Sequence, residues 1–141
     1  MMEQACKYLS EGVIFIFKPH PSCQIQVFNY PKLKIRITSE PIFRLLAKCD
    51  AAYTSSVTSA AVDVYNAGIP VVSLRDPSTL NLSPLRDLKG ALFASTPKEL
   101  AKMLKKATSQ IRPKKKTRNL FNLDTRLPRW RNLLQRTKVK M

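Results

Sequence analysis

A chain of 141 residues with 44% hydrophobic content is long enough for one domain with a real core, and no apolar run approaches the roughly 20 residues of a membrane helix. Its first residues carry Glu3 and Glu11 and lack an apolar centre, so residues 1–12 are not expected to act as a signal peptide. The net charge of +16 is uneven: residues 101–141 hold 14 of the 25 Lys and Arg and one of the nine acids, a net +13 against +3 for residues 1–100, so a nearly balanced body carries a basic tail.

Residues 2–11 predict a short helix with Ala5, Tyr8 and Leu9 on one side, ended by Gly12. The run Val13, Ile14, Phe15, Ile16, Phe17 is wholly apolar and reads as a central strand. Lys18, Pro19, His20 and Pro21 follow at once, so the backbone leaves the strand abruptly and a stiff loop holds His20. Residues 22–31 leave a short helix and an irregular connection equally open. Leu33, Ile35 and Ile37 alternate with Lys34 and Arg36, which suits a strand nearer a sheet edge. Ser39, Glu40 and Pro41 mark a helix start, and Ile42, Leu45 and Leu46 give that helix an apolar stripe.

A second strand-turn-helix unit follows. Residues 51–54 are β-formers; Ser55 and Ser56 then break the strand, and Val57, Ala60, Ala61 and Val64 fall at helical spacing. Gly68 suits the left-handed position that ends a helix, and Pro70 discourages continuation. Residues 69–74 read as a buried parallel strand. Residues 75–89 form a long loop, 91–94 a short strand, and Ser95, Thr96, Pro97 and Glu99 a helix start whose stripe is Leu100, Met103, Leu104 and Ala107. Residues 112–118 are a basic linker. Pro128 opens a last helix whose buried side is expected to include Trp130, Leu133 and Leu134.

The alternation of strand and helix predicts an α/β domain over residues 1–111, with a parallel sheet and helices on both faces in a Rossmann-like three-layer arrangement, and a basic linker with a short helix over 112–141. In such sheets ligands bind outside the carboxyl ends of the strands. Both polar motifs, at 18–21 and 54–59, directly follow strands and are expected to open toward one crevice.

The candidate chemistry is limited. A single histidine excludes an imidazole metal cluster, and Asp50, Asp63 and Asp76 have no partner at ligand spacing, so no metal is expected. Three glycines cannot make a Gly-rich phosphate loop. Phosphate binding would fall to the hydroxyls of Ser55, Ser56, Thr58 and Ser59, to the helix start beside them, and to cations; the plainer role of these hydroxyls is helix capping. His20 can donate to a phosphate or stabilise a departing one, or simply bond a neighbouring carbonyl. Lys18 adds charge or is a solvated strand end. Asp63 can accept from a ribose hydroxyl or face solvent, and Glu40 is a rim residue or interacts with its own helix start. The three cysteines, Cys6, Cys23 and Cys49, are widely spaced and odd in number, which suits a reducing cytoplasm.

Taken together, Lys18 to Pro21, the Thr54, Ser55, Ser56 triplet, and Asp63 followed by Gly68 and Pro70 resemble three motifs of GT-B-type glycosyltransferases. These are the strand-terminal His-Pro, the paired serines, and the acidic residue preceding Gly-x-Pro. The similarity is to bacterial surface-carbohydrate and capsule enzymes, including sialyltransferases and teichoic-acid glycerophosphate polymerases, and covers residues 12–110; residues 127–134 resemble a closing helix. Asp63 departs from the commoner Glu. The resemblance implies a C-terminal donor-binding half. Lys18, His20, Pro21, Glu40, Ser55, Ser56, Thr58, Ser59 and Asp63 would line the nucleotide site, with a CMP- or CDP-linked sugar or polyol as substrate and no cofactor. It also implies an N-terminal acceptor half or subunit, without which little transfer is expected; the basic tail suits a cytoplasmic enzyme peripheral to the inner face of the membrane. The alternative is a non-enzymatic Rossmann-like binding domain whose basic tail contacts an anionic membrane or nucleic acid. Nucleic acid is the less favoured partner, because no aromatics interleave with the bases of 112–118.

Overall fold

A computed structural model describes residues 1–20, 22, 23, 25–109 and 126–136. The chain runs α1 (Met2–Cys6), β1 (Phe15–Phe17), a 3-10 turn (Val27–Asn29), β2 (Ile35–Ile37), α2 (Ile42–Leu46), β3 (Ala52–Thr54), α3 (Ala60–Asn66), β4 (Val71–Leu74), β5 (Leu92–Ala94), α4 (Pro97–Ser109) and α5 (Pro128–Arg136). All described strand pairs are parallel, and the chain has an α/β fold. The expected boundary between domain and tail, at 111, lies outside the described residues.

The three-stranded sheet, in the order β3-β4-β5, is the centre of the domain. Its side chains alternate between two cores, as the period-two geometry of a strand requires. Val71 faces one core with Ala61, Val64, Tyr65, Ile69 and Leu85, and the partly buried Ala52 and Phe93 pack there too. Val72 and Ala94 face the other with Leu100, Ala101 and Ala5, joined by Tyr53 and Leu92. Helices α2 and α3 thus cover one face and α1 and α4 the other. This is the three-layer arrangement that strand-helix alternation predicts.

Several local devices hold these layers. Gly68, with φ of 73°, ends α3. Its N–H donates to the Tyr65 carbonyl (3.0 Å) and the N–H of Ile69 to that of Val64 (3.2 Å). These are the two bonds of a Schellman motif, and Val64 and Ile69 supply its apolar contact within one core. At the start of α4 the Thr96 hydroxyl accepts from the Glu99 N–H (3.2 Å), and the Glu99 carboxylate accepts from the N–H groups of Ser95 (2.8 Å) and Thr96 (3.3 Å). That reciprocal pattern is a capping box. On α4, Ala101 joins Leu100 and Ala107 among the buried residues.

Five expectations are corrected. Hydrogen bonding divides the strands into two sheets, β1-β2 and β3-β4-β5. The apolar run 13–17 is not a buried central strand. Only Phe15–Phe17 is extended in a ladder; β1 pairs β2 on one side, its residues are half-buried, and Ile14 is exposed. Helix α1 is one turn shorter than residues 2–11 suggest, and Tyr8 is exposed. Val57 precedes α3 rather than belonging to it and is 66% exposed. The expected buried side of the last helix is also exposed: Trp130, Leu133 and Leu134 are 61–66% accessible.

The 75–91 connection does more than cross the surface. Leu85 sits at 0% exposure in the α3 core, which makes it one of the largest fully buried side chains. Two local bonds shape the approach: the Asn81 side chain accepts from the Ser83 N–H, and the Ser83 hydroxyl accepts from the Leu85 N–H. Buried Ser83 therefore acts as a turn residue that aims Leu85 inward.

Candidate functional site

Parallel strands place their carboxyl ends on one edge of each sheet, and the polar motifs follow those ends. The three-stranded sheet carries the better-defined group. In its register Ala52 opposes Val71, Tyr53 opposes Val72 and Thr54 opposes Ser73. Ser55 and Ser56 follow the carboxyl end of β3, and Arg75 follows that of the neighbouring β4. Arg75 is in turn tied to β5, its N–H donating to the Ala94 carbonyl at 2.9 Å. Sequence reasoning passed over Arg75, placing it in a loop; the signal was its position as the first residue after a buried strand.

The hydroxyls of this group divide by role. Thr54 bonds the fully buried Ser73 hydroxyl at 3.0 Å, a structural tie between β3 and β4. Thr58 caps α3, its hydroxyl accepting from the Ala60 N–H at 3.3 Å. Ser59 occupies the N-cap position but makes no side-chain cap bond. Capping therefore falls to a single threonine. Among the described residues, the hydroxyls of Ser55, Ser56 and Ser59 have no protein hydrogen-bond partner, and the Arg75 guanidinium has no ion pair. Helix α3 has only seven residues, so hydroxyls and cation, rather than a helix dipole, are what an anion would meet. Asp63 lies in the first turn of α3 and is exposed, one turn beyond the serines.

The second group stands at the carboxyl end of β1-β2. Lys18 and His20 are exposed. The Ser22 N–H donates to His20 Nδ1 at 3.3 Å, and the Ser22 hydroxyl lies 2.6 Å from the same nitrogen. A ring whose Nδ1 accepts carries its proton, when neutral, on Nε2, which leaves an N–H donor pointing away from Ser22. The expected alternative, a bond from His20 to a carbonyl, is replaced by this contact. Pro21 lies outside the described residues.

Glu40 follows the carboxyl end of β2 and does not bond the start of its own helix. Its carboxylate pairs with Lys48 at 2.8 and 3.1 Å, rather than with the start of α2, whose N-cap is Pro41. That hydrogen bond, with the nearby charge of Lys48, holds the Glu40 carboxyl below its ordinary range. Its N–H is taken by the Thr38 hydroxyl. Glu40 is thus already engaged, and a ligand would have to compete with Lys48 for it.

Among the described residues no hydrogen bond or ion pair joins the Lys18–His20 loop to the 54–59 loop, and their strands belong to separate sheets. Ser55, Ser56, Thr58, Ser59 and Asp63 lie on one short segment, with Arg75 after the adjacent strand; Lys18, His20 and Glu40 form a second set. A hollow of about 230 Å³ between α1, β1 and β2 is lined by Met2, Phe15, Phe17, Tyr30 and Leu33 among others, an apolar surface with nothing to hold a phosphate.

Comparison with protein families, curated proteins and solved structures returned no match. The chemistry of the site therefore rests on its residues. Among the described residues no group of three or more His, Cys, Asp or Glu could hold a metal ion. The one hydroxyl bonded to the imidazole is that of Ser22, two residues along the same exposed loop, and among the described residues no carboxylate bonds the other side of the ring; Asp63 is exposed on its own helix. What the arrangement offers is anion recognition by hydroxyls and cations, with one acidic acceptor a turn away.

Proposed function

We propose that this domain binds the nucleotide part of an activated sugar or polyol donor, as the donor half of a surface-polysaccharide glycosyltransferase. The observation that carries the reading is the division of labour after β3: Thr58 alone caps α3, and Ser55, Ser56 and Ser59 keep their hydroxyls uncommitted, while Arg75 follows the same end of the adjacent strand β4. Solvated hydroxyls need no explanation singly; a cluster with an unpaired guanidinium at the adjacent strand end suits a phosphate.

In this reading Ser55, Ser56 and Arg75 hold the donor phosphates, and Thr58 and Ser59 border them. His20, with Lys18 beside it, donates from Nε2 to the leaving phosphate when the two sheets meet across the ligand. Asp63 accepts from the ribose. The donor is CMP- or CDP-linked. Transfer itself requires an acceptor site and base from an N-terminal half or subunit, which makes the chain on its own a binding module. The reading places the protein in the cytoplasm, where nucleotide donors are made and where the three free cysteines stay reduced. Among the described residues no helix is long and apolar enough to cross a membrane.

Calorimetric titration with CMP, CDP and UDP tests this directly. The wild-type chain is expected to bind a cytidine nucleotide. Ser56→Ala and Arg75→Ala should each weaken it by about tenfold or more, the value of one charge-assisted hydrogen bond. No binding at millimolar nucleotide, with folded protein, rejects the proposal.

A further inference from the structure

Helix α5 presents a surface that nucleotide binding does not use. Its nine residues include no acid, and among Pro128–Arg136 the large apolar side chains are Trp130, Leu133 and Leu134, all well exposed. At 100° per residue these three span an arc of about 100°. Arg129 borders that arc on one side and Arg131 on the other. An apolar stripe edged by arginines on both sides is how a helix lies in the plane of a bilayer interface: the stripe enters the acyl boundary while the guanidinium groups reach the headgroups.

We infer that α5 docks on an anionic phospholipid surface, with Trp130, Leu133 and Leu134 inserted and Arg129 and Arg131 on the lipid phosphates. Charge selects this occupant. The segment 101–141 carries a net +13, so a second copy of the same helix would be repelled, whereas an anionic leaflet attracts it. Nucleic acid would satisfy the arginines but has no counterpart for two adjacent leucines. The inference is independent of the nucleotide site and would hold for any activity of the domain.

Trp130 is the sole tryptophan of the chain, so its fluorescence reports on α5 alone. The full chain is mixed with phosphatidylcholine vesicles with and without phosphatidylglycerol, some carrying brominated acyl chains. The inference predicts a blue shift of Trp130 emission and quenching by the brominated lipid only when phosphatidylglycerol is present. Leu134→Asp, an exposed change that keeps the reporter and the melting temperature, should weaken partition by about tenfold or more. Sedimentation with anionic vesicles while Trp130 emission stays unchanged would overturn insertion, since the basic segment alone would then explain adsorption. An equal blue shift with duplex DNA, or on raising protein concentration without lipid, would overturn the choice of occupant.

Discussion

At the scale of single residues, the site is defined by which polar groups the fold has already used. Thr54, Thr58, Thr38 and Thr96 are each committed to a buried hydroxyl, a cap or a turn, and Glu40 to Lys48. The neighbouring serines are not, and the sequence alone could not sort them, because threonine and serine cap helices almost equally well. Leu85 shows the same limit from the apolar side. It lies in a segment rich in proline and polar residues, yet it is fully buried. Leu85→Ala should cost about 2–5 kcal/mol, the range for truncating a core leucine, measured as a lowered denaturant midpoint. Tyr53 adds a pH prediction. Partial burial raises its phenol above the ordinary value of 10.0. Its contribution to stability is therefore complete below about pH 10 and is lost as pH rises through the higher folded value, because the unfolded chain releases the proton first. Tyr53→Phe should flatten that alkaline decline in the melting temperature; an unaltered decline would show that another group causes it.

At the scale of elements, what was legible in the sequence was local and strongly signalled. The capping box at Thr96 and Glu99, Pro97 at the first position of α4, and Gly68 after α3 all sit where their chemistry predicts. Gly68→Ala would put a Cβ on a residue at φ 73° and should destabilise the domain by about 1–2 kcal/mol, readable in thermal melts. An unchanged melting temperature would mean the Schellman bonds contribute little. What was not legible depended on partners distant in sequence. The run 13–17 reads as a central strand on hydropathy alone, but a strand becomes central only if it is paired on both sides, and β1 has one partner. Helix α5 fails for the same reason: an apolar stripe predicts that something covers it, without saying that the cover belongs to this chain. The Asp63-to-Pro70 segment was readable because its signals are consecutive, whereas the placing of Ser55 and Ser56 and of Arg75 after adjacent strands emerges only from the pairing of β3 with β4.

For the whole molecule, the three layers around β3-β4-β5 enclose the two buried cores, and β1-β2 adds a second small sheet whose loop carries Lys18 and His20. In the proposed reading the strand ends of both sheets serve one nucleotide phosphate, while α5 holds the molecule at a lipid surface. Amide chemical-shift mapping during titration with CDP tests the first part most directly. The account predicts saturable shifts concentrated at Ser55, Ser56, Thr58, Ser59 and Arg75, with His20 responding over the same concentration range. Shifts absent from both loops at millimolar CDP, or confined to the basic residues of 101–141, would contradict it.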